Sequence, residues 1–485
     1  MSERAGGLAR LGPGQAVVLL TLLAAAIRFG TLDVQSIWLD ESATMVLVRR
    51  SFGGMLSHLT SSESAPPLYY VLVWLWTRIL GVGPLGFRSF SALVGTITVP
   101  VMYLAGRTIS PRAGVLAALL TTVSPVMFYY SQESRTYGLL VLFAALAFVY
   151  FQWSLEAANS RHLNGWAAFS ALALLTHYFA VFLFLPEAVL LARRWGWRAV
   201  AARAGGVCLV GAALVPLAAA QRGGGKASWI EAESLPARFA ESVKHFAVGL
   251  SAPLQVLAAP LIVLIASAAV VLLWRRAGGR ARALAAPAAF VAACGIGLPL
   301  LLAATHLVDV YDGRNVIATW VPLTVLVCAG LGAKETSRLG LLLAGALSAI
   351  SLAAIVAVNV LPAYQRDNWR GAASTLGVPQ GPRLIVGPEF SSLPLSIYIR
   401  GLTKARRAEA VTEVDFVALR AKHSTSAPSP PSLPKQAPAG FHLAAETLTS
   451  SYGVARYTSP HPLPLGVAAL EGEARESSAE VSLQR

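Results

Sequence analysis

Runs of about twenty apolar residues recur along the first three quarters of this chain, each long enough to cross roughly 30 Å of hydrocarbon as a helix. A helix satisfies its own backbone hydrogen bonds, so a bundle of helices is the expected solution in lipid. The composition agrees. Of 485 residues 55% are hydrophobic and 13% charged, with a mean hydropathy of +0.60, whereas a soluble domain carries about 25% charged residues. Too little polar surface remains to coat a water-soluble globule.

The expected spans are 14–31, 87–105, 113–130, 136–153, 163–177, 178–192, 204–220, 253–273, 283–305, 316–333 and 339–360, about eleven by the twenty-residue rule. Residues 15–27 resemble a signal-peptide core, but the spans that follow favour an uncleaved first helix. Residues 67–80 are apolar but cover only about 21 Å as a helix. If they do not span, Arg107 and Arg112, Arg193 to Arg203, Arg275 to Arg282 and Arg338 all fall on one side, as the positive-inside bias requires. Residues 67–80 are therefore expected to lie along the outer interface or to re-enter, and their Tyr69, Tyr70, Trp74 and Trp76 suit that level.

The net charge of +15 then reflects topology and contact with anionic membrane lipids, not nucleic acid. Cys208, Cys294 and Cys328 sit inside apolar runs and read as small core residues. The same topology puts Asp33, Asp40, Glu41, Glu63, Glu133, Asp309 and Asp312 at the outer face.

Beyond residue 360 the chain turns polar. A small α/β domain on the outer side is expected over 361–485, beside a membrane module of residues 1–360. Residues 383–388 read as a buried strand, 390–400 as a helix, and 441–448 and 452–458 as strands joined by a turn. The Ser/Pro-rich stretch 423–440 reads as a loop, and about the last fifteen residues as disordered.

Candidate chemistry gathers in the outer turns. Asp40 and Glu41 are adjacent carboxylates after Trp38. Such a carboxylate can take a proton from an attacking hydroxyl, or simply begin a helix at the favourable end of its dipole. Glu133 and Arg135 occupy a very short turn between two spans; held at that depth they are functional candidates or a local ion pair. Arg88 and Arg314 can grip a phosphate with a forked guanidinium, or snorkel to headgroups. His177 and Tyr178 can hydrogen-bond a sugar, or be structural. Pro66-Pro67 suits a helix start. Residues 367–370 can join the outer domain to the bundle or anchor at the interface. Phosphate loops, dinucleotide fingerprints and Cys/His metal spacings are missing from the sequence, which counts against a nucleotide-driven pump.

Taken in order, Trp38-Leu39-Asp40-Glu41, Pro66-Pro67-Leu68-Tyr69-Tyr70, Arg88, Tyr130-Ser131-Gln132-Glu133-Ser134-Arg135-Thr136-Tyr137, Thr176-His177-Tyr178 and Arg314 resemble the integral-membrane GT-C glycosyltransferases. The group they are most similar to is glycosyltransferase family 39, the protein O-mannosyltransferase and aminoarabinose transferase relatives. The resemblance covers about residues 15–370 and is strongest in the first 180. It implies a polyprenyl-phosphate sugar donor and inversion at the anomeric carbon, with an acceptor it does not identify. By that analogy Asp40 is the general base, Glu41 and Glu133 orient acceptor and sugar, arginines hold the phosphate, and Tyr69, Tyr70 and Tyr137 line the substrate site. Ala65 stands where relatives often carry a basic residue, and Asn315 where an aromatic is common. Members of the family differ in their use of a divalent metal, and this sequence does not require one.

Two other classes share the hydropathy. A flippase or transporter of lipid-linked glycans calls for ionisable groups near the bilayer midplane, where only Glu187 falls. A non-catalytic membrane subunit has no need of paired carboxylates.

Overall fold

The computed structural model describes residues 12–157, 159–223, 228–420, 431–434, 436–473 and 479–485. In chain order its helices are α1 (Pro13–Gly30), α2 (Leu39–Val48), α3 (Phe52–Ser62), α4 (Leu68–Leu80), α5 (Pro84–Arg107), α6 (Pro111–Val123), α7 (Pro125–Ser131), α8 (Thr136–Glu156), α9 (Ser160–Thr176) and α10 (Val181–Trp195). They continue as α11 (Trp197–Arg222), α12 (Ser228–Glu231), α13 (Leu235–Val248), α14 (Gln255–Arg276), α15 (Gly279–Ala304), α16 (Trp320–Leu331), α17 (Ser337–Val360), α18 (Trp369–Leu376), α19 (Ser392–Tyr398) and α20 (Val467–Glu473). The chain divides into two compact units. One comprises Met1–Leu32 and Ser51–Val356, the other Asp33–Arg50 and Ala357–Arg485.

The first unit is a helical membrane bundle. Seven helices are long and apolar enough to cross a membrane (α1, α5, α8, α11, α14, α15 and α17), and α6 with α7 makes an eighth if that bent pair is one span. The other three expected spans correspond to α9, α10 and α16, of 17, 15 and 12 residues. Burial sorts the bundle: α5 and α8 are 61% and 67% buried over their most apolar stretches and form its centre, whereas α1 and α11 are 17% buried. Helix α4 has 13 residues. It buries Tyr69, Tyr70, Val73 and Thr77, the i, i+4 and i+8 face of one helix, and exposes Leu75 and Ile79. Pro66-Pro67 does precede it, as the sequence suggests.

Between α6 and α7 the axis turns by 58° at Ser124. Pro125 has no N–H to offer the carbonyl of Thr121, and Ser124 starts a new helix by accepting from the Met127 N–H. The bend delivers residues 131–135 to the end of α8.

The second unit is built on a mixed six-stranded sheet: β1 (Arg383–Pro388), β2 (Leu402–Lys404), β3 (Glu409–Leu419), β4 (His442–Leu448), β5 (Tyr452–Leu465) and β6 (Ala479–Gln484), in the order β2-β6-β1-β3-β5-β4. Only β1 and β3 pair in parallel. Its two faces bury separate clusters, one around Phe416, Tyr457 and Leu470 and one around Trp369, Leu376 and Leu395. Trp369 is 3% exposed, a core residue and not an interfacial anchor.

The expectation of a disordered tail needs correction. Residues 479–484 form β6, paired with β1 on one side and β2 on the other, with Val481 and Leu483 in the core. Of the Ser/Pro-rich stretch, residues 423–430 and 435 lie outside the described residues.

Candidate active site

In the membrane bundle, the turn at residues 131–135 carries the most concentrated polar chemistry. Glu63, 2% exposed just after α3, accepts from Tyr70 Oη at 2.9 Å and from the Arg135 guanidinium at 2.7 Å. The partner of Arg135 is thus an acid 72 residues away as well as the local backbone of Glu133, whose carbonyl accepts from the Arg135 N–H at 3.0 Å. Burial and the adjacent Glu63 charge hold the Tyr70 phenol well above its ordinary pKa, so it stays a donor. Glu133 is 2% exposed, with Tyr129 Oη 3.5 Å from its carboxylate. Ser134 fastens the turn by donating to the Phe87 carbonyl at 3.0 Å.

An aromatic wall runs from this turn. Tyr130 lies 4.9 Å from Tyr137 and 5.5 Å from His245, and Tyr137 lies 5.8 Å from His177, ring centre to ring centre. His177 caps the following 3₁₀ turn by accepting from the Phe179 N–H. Tyr178 donates to Gln221 at 2.7 Å, and Gln221 in turn donates to the Ala65 carbonyl. The Tyr178 hydroxyl is thus held by α11, whose Gln221 side chain reaches on to the segment before α4. Tyr69 approaches Ser91 at 3.4 Å, and Arg88, fully buried, donates to the Leu32 carbonyl at 3.0 Å.

His245 on α13 is the participant that sequence reasoning missed. It is 4% exposed, and its Nε2 has no hydrogen-bond partner among the described residues. Burial pushes its pKa down to about 3, with Asp312 opposing and Arg314 and Lys244 adding to the shift, so the ring is neutral. A lone His on an amphipathic helix gives no sequence signal. The sign of its role is the loop packed against it. Gly313 approaches so closely that a Cβ there would stand 3.1 Å from Ser242 Cα and 3.3 Å from His245 Nδ1. Arg238 secures the same loop, donating twice to Asp309 at 2.7 and 3.0 Å and once to the Tyr311 carbonyl.

This loop presents Arg314. Its Nε donates to Asp312 at 3.1 Å and its guanidinium lies 4.7 Å from the Trp229 ring centre. With 27% of its side chain exposed it is the most accessible of the three expected phosphate ligands, against 13% for Arg135 and full burial for Arg88. Tyr311 and Val316 of the same loop border an apolar cavity of about 600 Å³, lined also by Phe246, Ile262, Val270, Trp320 and Leu347.

In the second unit, Asp40 and Glu41 open α2 after Trp38. They are not equivalent. Glu41 is fully buried and accepts from Arg366 at 3.2 Å, while Asp40 is partly exposed. Arg366 is fixed further by its backbone N–H to Gln35, and Arg370 pairs with Asp33 at 2.6 Å. Tyr398 Oη accepts from the Ile37 N–H at 2.8 Å. These contacts attach residues 33–50 to the sheet domain and fix the frame on which Asp40 is displayed. Among the described residues no three His, Cys, Asp or Glu side chains gather closely enough to hold a metal ion.

Residues 64–219 match the family model described as dolichyl-phosphate-mannose-protein mannosyltransferase. Among solved structures the chain is similar to ArnT from Cupriavidus metallidurans bound to undecaprenyl phosphate, at 14% identity and a TM-score of 0.51, over 79% of this chain and 84% of that one. The apo state of that protein matches at 15% identity and a TM-score of 0.36, over 81% of this chain and 96% of that one. Curated proteins yield no match. Over residues 64–219 the chain is thus similar in sequence to the dolichyl-phosphate-mannose-protein mannosyltransferase family, and its fold is similar to that of ArnT.

Proposed function

We propose that this protein transfers a glycosyl group, with inversion, from a polyprenyl-phosphate donor to an acceptor hydroxyl or amine at the outer face of a plasma membrane. The observation that carries this reading is the adjacency, within the bundle, of the apolar cavity to the loop bearing Arg314. Lipid-linked phosphate demands that pairing: a dry channel for the chain and a cation where the headgroup emerges. The family of residues 64–219 is named for dolichyl-phosphate-mannose transfer, and the ArnT structure holds undecaprenyl phosphate.

In this reading the acceptor oxygen or nitrogen attacks the anomeric carbon as the bond from that carbon to the phosphate oxygen breaks. The phosphate leaves on its lipid, so no strong acid is needed. Asp40 takes the acceptor's proton. Arg314 meets the charge that grows on the phosphate. Glu133 and the wall of Tyr130, Tyr137, His177 and neutral His245 hold the sugar, while Tyr70 and Arg135 fix Glu63 beside them. Glu41, already paired with Arg366, orients α2 and does not exchange protons. All eleven apolar segments then cross the membrane, with the Arg-rich turns in the cytoplasm and the sheet domain outside.

The test is purified protein in nanodiscs with a panel of polyprenyl-phosphate sugars and membranes from cells lacking it as acceptor source. Labelled sugar should pass to acceptor, and nucleotide sugars should not replace the lipid donor. Movement of lipid-linked sugar across the bilayer without transfer would establish a flippase instead.

A further inference from the structure

Arg28 is the one ionisable residue in α1 among the described residues, and it is fully buried although most of that helix is exposed. A guanidinium inside a membrane bundle is expensive unless its donors are met. Every partner recorded for it is neutral, and each belongs to the bent pair or to its own helix. Nη2 donates to the Thr121 carbonyl at 2.9 Å and Nη1 approaches the Thr122 and Ala24 carbonyls at 3.5 and 3.4 Å. Nε donates to Ser131 Oγ at 2.9 Å. Gln132 returns a bond from Nε2 to the Arg28 carbonyl at 2.6 Å.

The first of these carbonyls is the one Pro125 leaves without an intrahelical donor. The C-terminus of α6 also carries the negative end of its dipole, which favours a cation there. One planar side chain thus spans the bend, with the end of α6 on one edge and the end of α7 on the other. Ser131 can receive it because position 95 is glycine: a Cβ there would collide with Ser131 Oγ and stand 3.2 Å from Arg28 Nε. Glu133 lies two residues further on.

We propose that Arg28 is a positioning residue for glycosyl transfer, its guanidinium fixing the end of α7 and thereby the placement of Glu133. This rests on the reading of Glu133 as a sugar-holding residue given above. Lysine cannot replace it, because a single ammonium cannot reach both the Thr121 carbonyl and Ser131.

The experiment uses full-length protein in nanodiscs and the donor found by the panel, with Arg28→Lys, Arg28→Gln and the milder Ser131→Ala. Arg28→Gln and Arg28→Lys are each expected to lower kcat on the order of tenfold to a hundredfold, as small misplacements do, with donor KM changed less than about twofold. Ser131→Ala should share the direction. Combined with Glu133→Gln, Arg28→Gln should add little, because the two act as one unit. Hydrogen exchange over residues 126–135 should rise in Arg28→Gln while α8 and α9 stay protected. Unchanged exchange in that turn, or fully additive losses in the double variant, would overturn the proposal. If Glu133→Gln costs nothing while exchange in the turn still rises with Arg28→Gln, the role of Glu133 fails and the structural hold of Arg28 stands.

Discussion

Glu63 and Arg135 form a buried ion pair 2.7 Å long that ties the end of α3 to the turn before α8. Their side chains are 1% and 13% exposed, so solvent screens the pair little. Removing one partner takes a counter-charge from the other inside the bundle, at a cost of about 3–5 kcal/mol. Glu63→Gln and Arg135→Gln should each lower the unfolding midpoint in detergent. The double variant should lose less than the two single losses added together. Additive losses would show that the two side chains do not act as a pair.

The adjacent acids of α2 predict opposite phenotypes. Asp40→Asn should lower kcat by about 10²–10⁴, the usual worth of a general base. Glu41→Gln removes a counter-charge from the buried Arg366 and should destabilise the protein, by roughly 3 kcal/mol. Unchanged turnover in Asp40→Asn, in protein that is otherwise active, would remove Asp40 from the reaction.

How much of this was readable beforehand divides by the range of the interaction. Apolar length marked the helices, Pro66-Pro67 and residues 383–388 fell where local chemistry put them, and the helix expected over 390–400 forms over Ser392–Tyr398. What failed depended on distant partners. The sequence AEVSLQ is polar enough to pass for a tail, and becomes a central strand only because β1 and β2 flank it. Arg135 takes Glu63, 72 residues earlier, as a partner for its guanidinium, which no local reading supplies. Arg28 was invisible for the same reason, since its best acceptor exists only because a helix breaks 97 residues later at Pro125.

His245 gives a pH dependence with a definite sign. Its pKa lies near 3 in the folded protein, lowered chiefly by burial, and near 6.5 when unfolded. A depressed pKa means that stability is complete above pH 6.5 and falls as the pH drops towards 3, because only the unfolded chain takes up the proton. His245→Gln should flatten the decline in unfolding midpoint between pH 6.5 and 4. An identical slope in the two proteins would mean that the ring is protonated while folded.

Arg314 should behave as a donor-binding group. Its contact to Asp312 lies within a loop that Arg238 and Gly313 already secure, and its contact to Trp229 reaches only the short helix α12, so Arg314→Ala should fold normally. A charge-assisted hydrogen bond is worth about 1.5–3 kcal/mol, so kcat/KM for the lipid donor should fall roughly tenfold to a hundredfold. Arg314→Lys should recover part of this, because it restores charge but not the fork. Normal kcat/KM in Arg314→Ala would move the phosphate elsewhere.

The apolar cavity makes the last prediction, and it separates a lipid-binding channel from a packing defect. Ala266 on α14 lines it together with Phe246 and Trp320. Ala266→Trp should fill much of the space that a polyprenyl chain would occupy. If the chain binds there, KM for a long-chain donor should rise while a donor truncated to one or two isoprene units keeps its KM, since it never reached that depth. Buried chain length contributes about 0.8 kcal/mol per CH₂, so in the unmodified protein affinity should also climb steeply with each added isoprene until the cavity is full. If the void is only a defect, filling it should raise the unfolding midpoint and leave both donors alike.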